Sequence, residues 1–196
     1  MREKGTKFTT RPLEIEEYEK IISLLKNGFK YTLDGKEKTF RPNKQIAFIL
    51  MLQASVGLRI GDILEIKPSN FNKDKLQAGE QKTSKFQNRK VSPIVIAEIM
   101  KYAVENNINK NDKLFKITER AVQKQLKIVC DYLELENIST HSFRKMYATE
   151  QYKENNNDIY LVKTLLNHSS IATTQRYINV DQEKIDKASS SYHKFI

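Results

Sequence analysis

The sequence predicts a mixed, mainly α-helical fold with a small antiparallel β-sheet or hairpin. Three observations predict it. Apolar residues recur at helical spacing through most of the chain, as at Val122, Leu126, Val129 and Leu133. Between Phe71 and Ile94 that spacing gives way to weak alternation around a polar centre, TSKFQN. The 196 residues carry neither an internal repeat nor a long linker, so a single domain over 1–196 is expected.

The elements follow in order. The first ten residues, MREKGTKFTT, are polar and expected to fray. Pro12 opens an amphipathic helix with Leu13, Tyr18, Ile21, Ile22, Leu24 and Leu25 apolar, ending near Gly28. Residues 30–41 carry an Asp34-Gly35 turn signal, which fits a loop or small hairpin. A second helix starts near Pro42 and runs through QIAFILMLQAS; being apolar on several faces, it belongs at the centre of the core. Gly57 interrupts it, Arg59 heads a short helix, IGDILEI, and Lys67-Pro68-Ser69-Asn70 closes that helix. The stretch from Phe71 to Ile94 reads as a twisted hairpin whose tip faces solvent or a polyanion. Pro93 then starts a helix whose expected apolar face is Ile94, Ile96, Ile99, Met100, Ala103 and Val104. After a loop at 106–112, Thr118 caps the next helix. Ser139 or Thr140 caps the helix bearing Arg144 and Tyr147, and Asp158 caps another with Ile159, Val162, Leu165 and Leu166 inward. A short helix from about Ile171 is expected to carry Tyr177, and 181–192 reads as a last helix.

Composition narrows the partners. With 34 Lys and Arg against 24 Asp and Glu the formal charge is +10, and the pI is about 9.5, so a polyanion is the expected partner. Nucleic acid comes first. A membrane surface is disfavoured, because no basic amphipathic anchor or lipidation signal is present and the apolar run Ile46 to Leu52 is too short to span a bilayer. No signal peptide is visible, and the one cysteine, Cys130, allows no internal disulfide; a cytoplasmic location is expected. Cys130 reads as a small apolar filler in a helix.

Six side chains carry the candidate chemistry: Arg59, Lys82, His141, Arg144, His168 and Tyr177. Each has a plain structural reading. His141 and Arg144, three apart, share a helix face; Arg59 can cap a helix; His168 can end one; most tyrosines simply pack. Their combination points to phosphodiester chemistry. A phenol with a reference pKa of about 10 is a poor nucleophile at neutral pH unless a base assists it. Two guanidiniums offer planar, permanently charged contacts to phosphate. Three histidines and one cysteine without ligand-type spacing disfavour a zinc site, and no carboxylate set suits two-metal chemistry.

Four stretches in order carry a specific resemblance. They are Gly57-Leu58-Arg59-Ile60-Gly61-Asp62-Ile63-Leu64; Lys82 within GEQKTSKFQNRKVSPI; Ser139-Thr140-His141-Ser142-Phe143-Arg144; and Leu165 to Val180, which holds both His168 and Tyr177. Together, over roughly residues 12–190, they resemble the tyrosine recombinases, also called phage-type integrases. The resemblance implies the catalytic-domain fold of that family, with a core of about 12–180 and a C-terminal helix or tail, 181–196, that can be exchanged between protomers. It implies DNA cutting and rejoining through a 3′-phosphotyrosyl intermediate on Tyr177, with no metal, ATP or other cofactor. Arg59 and Arg144 would grip the non-bridging oxygens and His168 would add a hydrogen bond. Lys82 would protonate the leaving 5′-oxygen and His141 would take the tyrosine proton.

Two departures stand out. Asn167 replaces the family's usual glycine, and Lys145 follows the box arginine where histidine is frequent. At 196 residues the chain is expected to lack the additional N-terminal DNA-binding domain that many members carry, as either a catalytic-domain fragment or a naturally short member would. The expected partner is double-stranded DNA, gripped mainly through phosphates by Lys73, Lys75, Lys85, Arg89, Lys90 and Lys145. By resemblance, the expected assembly is a homo-tetramer on paired sites and a monomer or weak oligomer without DNA, with Ile185, Ala188 and Tyr192 as a docking face. Two alternatives remain open at this point: a type IB topoisomerase-like relaxase, and a DNA-binding protein that kept the fold without the reaction. An RNA-binding module is disfavoured, because the aromatics do not fall in stacking motifs.

Overall fold

Glu14 and Glu17 start the first helix, α1 (Ile15–Asn27): the Glu14 N–H donates to the Glu17 carboxylate at 3.0 Å. Arg11 clamps the same carboxylate at 2.6 and 2.7 Å, holding it below the ordinary glutamate pKa. The computed structural model describes residues 10–79, 86–178, 186–187 and 189–190. The helix expected over 181–192, with Ile185, Ala188 and Tyr192, lies outside the described residues apart from those few positions, as do Lys82 and Lys85. The chain divides into two compact units, Met1–Tyr147 and Ala148–Ile196, the boundary falling inside a helix.

The first unit is built around one central helix. The 30–41 segment is a hairpin, β1 (Phe29–Leu33) paired antiparallel with β2 (Lys36–Phe40). Asp34 and Gly35 both have positive φ, 53° and 72°, as a type I′ turn requires. Phe29 stacks on Phe40 at 4.9 Å and meets Tyr132 at 4.3 Å, fastening the hairpin to the core. Helix α2 (Lys44–Val56) is capped by Asn43, whose side chain accepts from the Ile46 N–H at 3.0 Å. It buries Ile46, Ala47, Ile49, Leu50, Leu52, Gln53 and Val56, which places it centrally as its all-round apolarity implies. It contacts α1 and the short α3 (Ile60–Leu64).

One turn of 3₁₀ helix, Pro68–Asn70, leads into a three-stranded antiparallel sheet: β3 (Phe71–Asn72), β4 (Lys75–Gly79) and β5 (Phe86–Lys90). The expected hairpin is therefore β4–β5, extended by one short strand. Lys73, at φ 55°, turns the chain so that Phe71 pairs with Leu76.

Helix α4 (Pro93–Glu105) corrects part of the expected apolar face. Ile99 and Ala103 are buried, but Ile94 and Val104 are each 76% exposed. Both lie five residues from Ile99, about 140° round the helix, so the face closes without them. Helix α5 (Glu119–Tyr132) starts at Thr118, which accepts from Ala121 N–H at 3.3 Å, and buries Val122, Leu126, Val129 and Cys130. Burial pushes the Cys130 thiol up to about 12, in keeping with its expected role as filler. Helix α6 (Thr140–Glu154) is capped by Ser139: its Oγ accepts from His141 N–H at 3.2 Å while the Ser142 Oγ accepts from Ser139 N–H at 3.1 Å.

The second unit holds the end of α6, then α7 (Ile159–Leu165) and α8 (Ile171–Gln175). The Asp158 carboxylate caps α7 through Tyr160 and Leu161, and the Ser170 hydroxyl caps α8 through Thr173. Tyr177 lies two residues beyond α8 rather than on it, in the turn where its N–H returns to the Thr174 carbonyl at 2.8 Å.

Four helices end in the same way. A left-handed residue follows the helix, and the next N–H reaches back five residues: Ile108 to Ala103, Leu135 to Cys130, Asn157 to Tyr152 and His168 to Lys163, at 2.8–3.0 Å. This is the Schellman closure. The left-handed positions are Asn107, Glu134, Asn156 and Asn167, with φ between 52° and 56°. Asparagine tolerates that region; glutamate gains nothing from it. Glu134→Gly is therefore expected to stabilise the protein by about 1 kcal/mol, read as a raised urea midpoint at unchanged slope.

Candidate active site

The first cluster forms where α2 ends. Gly57 has φ 63° and its N–H caps α2 on the Gln53 carbonyl, so the chain leaves the helix in the left-handed conformation that glycine adopts without strain. A side chain has no room there either: a Cβ on Gly57 would stand 2.2 Å from the Tyr147 ring. Two residues on, the half-buried Arg59 heads α3, its carbonyl accepting from Ile63 N–H at 2.9 Å.

Arg144 comes to this turn from 87 residues away. Its side chain is fully buried, and one guanidinium nitrogen donates to the Gly57 carbonyl at 2.6 Å. Two of the sequence boxes thus meet through a backbone carbonyl. His141 lies one turn earlier on α6, half-buried, on the face that helical spacing assigns to both residues.

The basic residues expected at DNA divide into two groups. Lys73, Lys75 and Lys90 are exposed around the three-stranded sheet, with Lys90 paired to Asp74 at 3.2 Å. Arg89 and Lys145 are used internally. Arg89 donates to the Tyr147 hydroxyl at 2.7 Å and to the Val56 carbonyl. Lys145 is buried and donates to the Thr10 carbonyl, and burial pulls its ammonium below the usual lysine pKa.

A second cluster lies wholly in the second unit. Because Asn167 is left-handed, α7 stops and His168 begins the next segment at a set angle. This explains why asparagine serves where the family's usual residue is glycine. The His168 Nδ1 and the buried Thr174 hydroxyl are 3.1 Å apart. The His168 and Tyr177 rings meet edge to face, with centroids 4.9 Å apart. Thr149 donates its hydroxyl to the Tyr177 carbonyl at 3.1 Å. Histidine, threonine and tyrosine are thus held together by the α8 turn.

The chain matches the phage integrase family over residues 10–184 and belongs to that family. YoeC of Bacillus subtilis, a probable integrase/recombinase, is 31% identical over 76% of this chain and 84% of its own length. The structure of the XerH site-specific recombinase bound to its difH substrate has a TM-score of 0.64 at 21% identity, over 96% of this chain and 56% of that one. The catalytic domain of bacteriophage HP1 integrase has a TM-score of 0.62 at 16% identity, over 91% of this chain and 94% of that one. The fold is therefore that of a tyrosine recombinase catalytic domain. The chain spans about half the length of several further curated tyrosine recombinases.

Sequence reading missed Tyr147 and Thr174. Thr174 stands inside the recognised box, but nothing in that box marks its hydroxyl as the partner of His168. Tyr147 follows Arg144 by three positions, so helical spacing alone put it near the same face.

Two outcomes are expected. Gly57→Ala costs about 3 kcal/mol in urea denaturation, from left-handed strain and the clash with Tyr147 combined. Thr174→Val changes the imidazole nitrogen shifts of His168 in NMR spectra at constant pH, whereas Thr174→Ser leaves them near wild type.

Proposed function

We propose that this chain is a site-specific DNA recombinase or integrase that cuts and rejoins double-stranded DNA through a 3′-phosphotyrosyl intermediate on Tyr177, without metal or ATP. The observation that carries the reading is Tyr177 held in ring contact with His168, 4.9 Å between centroids, in a chain of the phage integrase family.

The chemistry follows from the side chains. The Tyr177 oxygen attacks the scissile phosphorus and passes its proton to His141. The bond from phosphorus to the 5′-oxygen breaks, and Lys82 protonates the departing oxygen. Arg59 and Arg144 neutralise the two non-bridging oxygens of the pentacoordinate state, with His168 adding a hydrogen bond. One phosphodiester is exchanged for another, so no bond energy is lost, and the 5′-hydroxyl of a second strand reverses the step. The burial of Arg144 and its bond to Gly57 support this role, because a guanidinium that is already oriented needs no reorganisation when charge develops.

DNA binding is mainly electrostatic, with the exposed Lys73, Lys75 and Lys90 among the phosphate contacts and affinity falling steeply as salt rises. A relative's name supports the partner: XerH is described as bound to difH substrate. Strand exchange takes four copies on two paired sites, in a cytoplasmic protein.

A nicked duplex carrying the element's junction tests the reading. Wild type is expected to give a covalent adduct on a denaturing gel with EDTA present and no ATP, and Tyr177→Phe none. Arg144→Lys is expected to slow adduct formation by about 100-fold or more while binding the duplex. An adduct that persists in Tyr177→Phe would move the nucleophile elsewhere. No adduct from wild type on a junction it binds would favour a DNA-binding role alone.

A further inference from the structure

Arg89 and Tyr147 meet at the turn that holds Arg144. Arg89, on β5, donates one terminal nitrogen to the Tyr147 hydroxyl at 2.7 Å and the other to the Val56 carbonyl. Its guanidinium carbon is 5.6 Å from the Tyr147 ring centroid, a separation that the bond to the hydroxyl already accounts for. The Tyr147 ring lies against Gly57, where a Cβ would come within 2.2 and 2.5 Å of two ring carbons. The Gly57 carbonyl in turn accepts from Arg144 at 2.6 Å. Two consecutive carbonyls, Val56 and Gly57, are therefore held by two arginines from different elements, with the Tyr147 ring packed on the glycine joining them.

We propose that Arg89 and Tyr147 are positioning residues: together they lock the Val56–Gly57 turn so that its carbonyl holds the Arg144 guanidinium and Arg59 leaves the turn in a fixed direction. The inference rests on the recombinase reading for what the two arginines do. Arg89, which sequence composition would place on a DNA phosphate, has both terminal nitrogens committed to acceptors within the protein, and its buried Nε has no partner among the described residues. A guanidinium so placed orients its neighbours rather than a ligand. Rate is sensitive to such placement, because a catalytic group displaced by about 1 Å loses on the order of a hundredfold in rate. Affinity for a long polyanion, summed over many contacts, is not sensitive to it.

The test is a double-mutant cycle in the full chain with Arg89→Gln, Tyr147→Phe and both, plus Arg89→Lys. Single-turnover adduct formation is measured at saturating nicked duplex, and duplex affinity across a salt series. Each single variant is expected to lose roughly 10- to 100-fold in rate with affinity within about twofold, and the double variant to be no more than about threefold worse than either. The salt slope is expected to stay at the wild-type value, and Arg89→Lys to behave as Arg89→Gln, since an ammonium cannot span both acceptors. The proposal is overturned if Arg89→Gln lowers the salt slope by about 1, the mark of a lost phosphate contact. Full rate in Tyr147→Phe overturns it equally.

A readout independent of chemistry separates this inference from the function it rests on. Exchange of the Gly57 amide, which closes α2, is expected to speed up roughly tenfold in both single variants at unchanged melting temperature. If wild type forms no adduct, the recombinase reading fails and amide exchange decides the positioning role: unchanged exchange sinks it.

Discussion

The bond from the Arg144 guanidinium to the Gly57 carbonyl is the constraint on which the first unit's site depends. A fully buried guanidinium without good acceptors would be strongly destabilising, so the surrounding backbone must supply them in a fixed geometry. That requirement explains the neighbours. Gly57 must be glycine to end α2 in the left-handed region and to admit the Tyr147 ring, and α6 must be buried along the Phe143–Arg144 face to bring the charge in. Phe143 does this with no exposed surface, its ring meeting that of Tyr18 at 6.1 Å. The box sequences are thus local answers to one packing problem as well as sources of functional groups.

Net charge is a weaker guide to the interface than it looks. Of the formal +10, the charges on Arg89 and Lys145 are turned inward to carbonyls and a hydroxyl. Those on Lys73, Lys75 and Lys90 stay at the surface, where long-range attraction to a polyanion acts. Two arginines or lysines in neighbouring positions of one strand, such as Arg89 and Lys90, can therefore have opposite fates. Strand alternation sends one toward the α2 turn and leaves the other beside Asp74.

The second unit's cluster is set by local geometry. Asn167 ends α7, Ser170 restarts the chain as α8, and the short helix brings Thr174 and Tyr177 to His168 within ten residues of sequence. Short-range contacts of this kind need no distant partner, so the His168, Thr174 and Tyr177 groups are set by one short stretch of chain.

What the sequence determined by itself was whatever depends on near neighbours along the chain. The Asp34-Gly35 turn, the caps at Thr118 and Asp158 and the central place of α2 belong to this class, because φ preference, capping and helical periodicity act over a few residues; the family boxes were legible by resemblance instead. Tertiary structure alone decided which apolar residues the core had room for and which polar groups found each other. Ile94 and Val104 carry the same side-chain chemistry as Ile99 but lie about 140° round α4 from it, and the packing on α4 is too narrow to reach them. Arg89 meeting Val56 and Tyr147, Lys145 meeting Thr10, and Arg144 meeting Gly57 are pairings across 33 to 135 residues, set by how the elements pack rather than by any pattern within one of them.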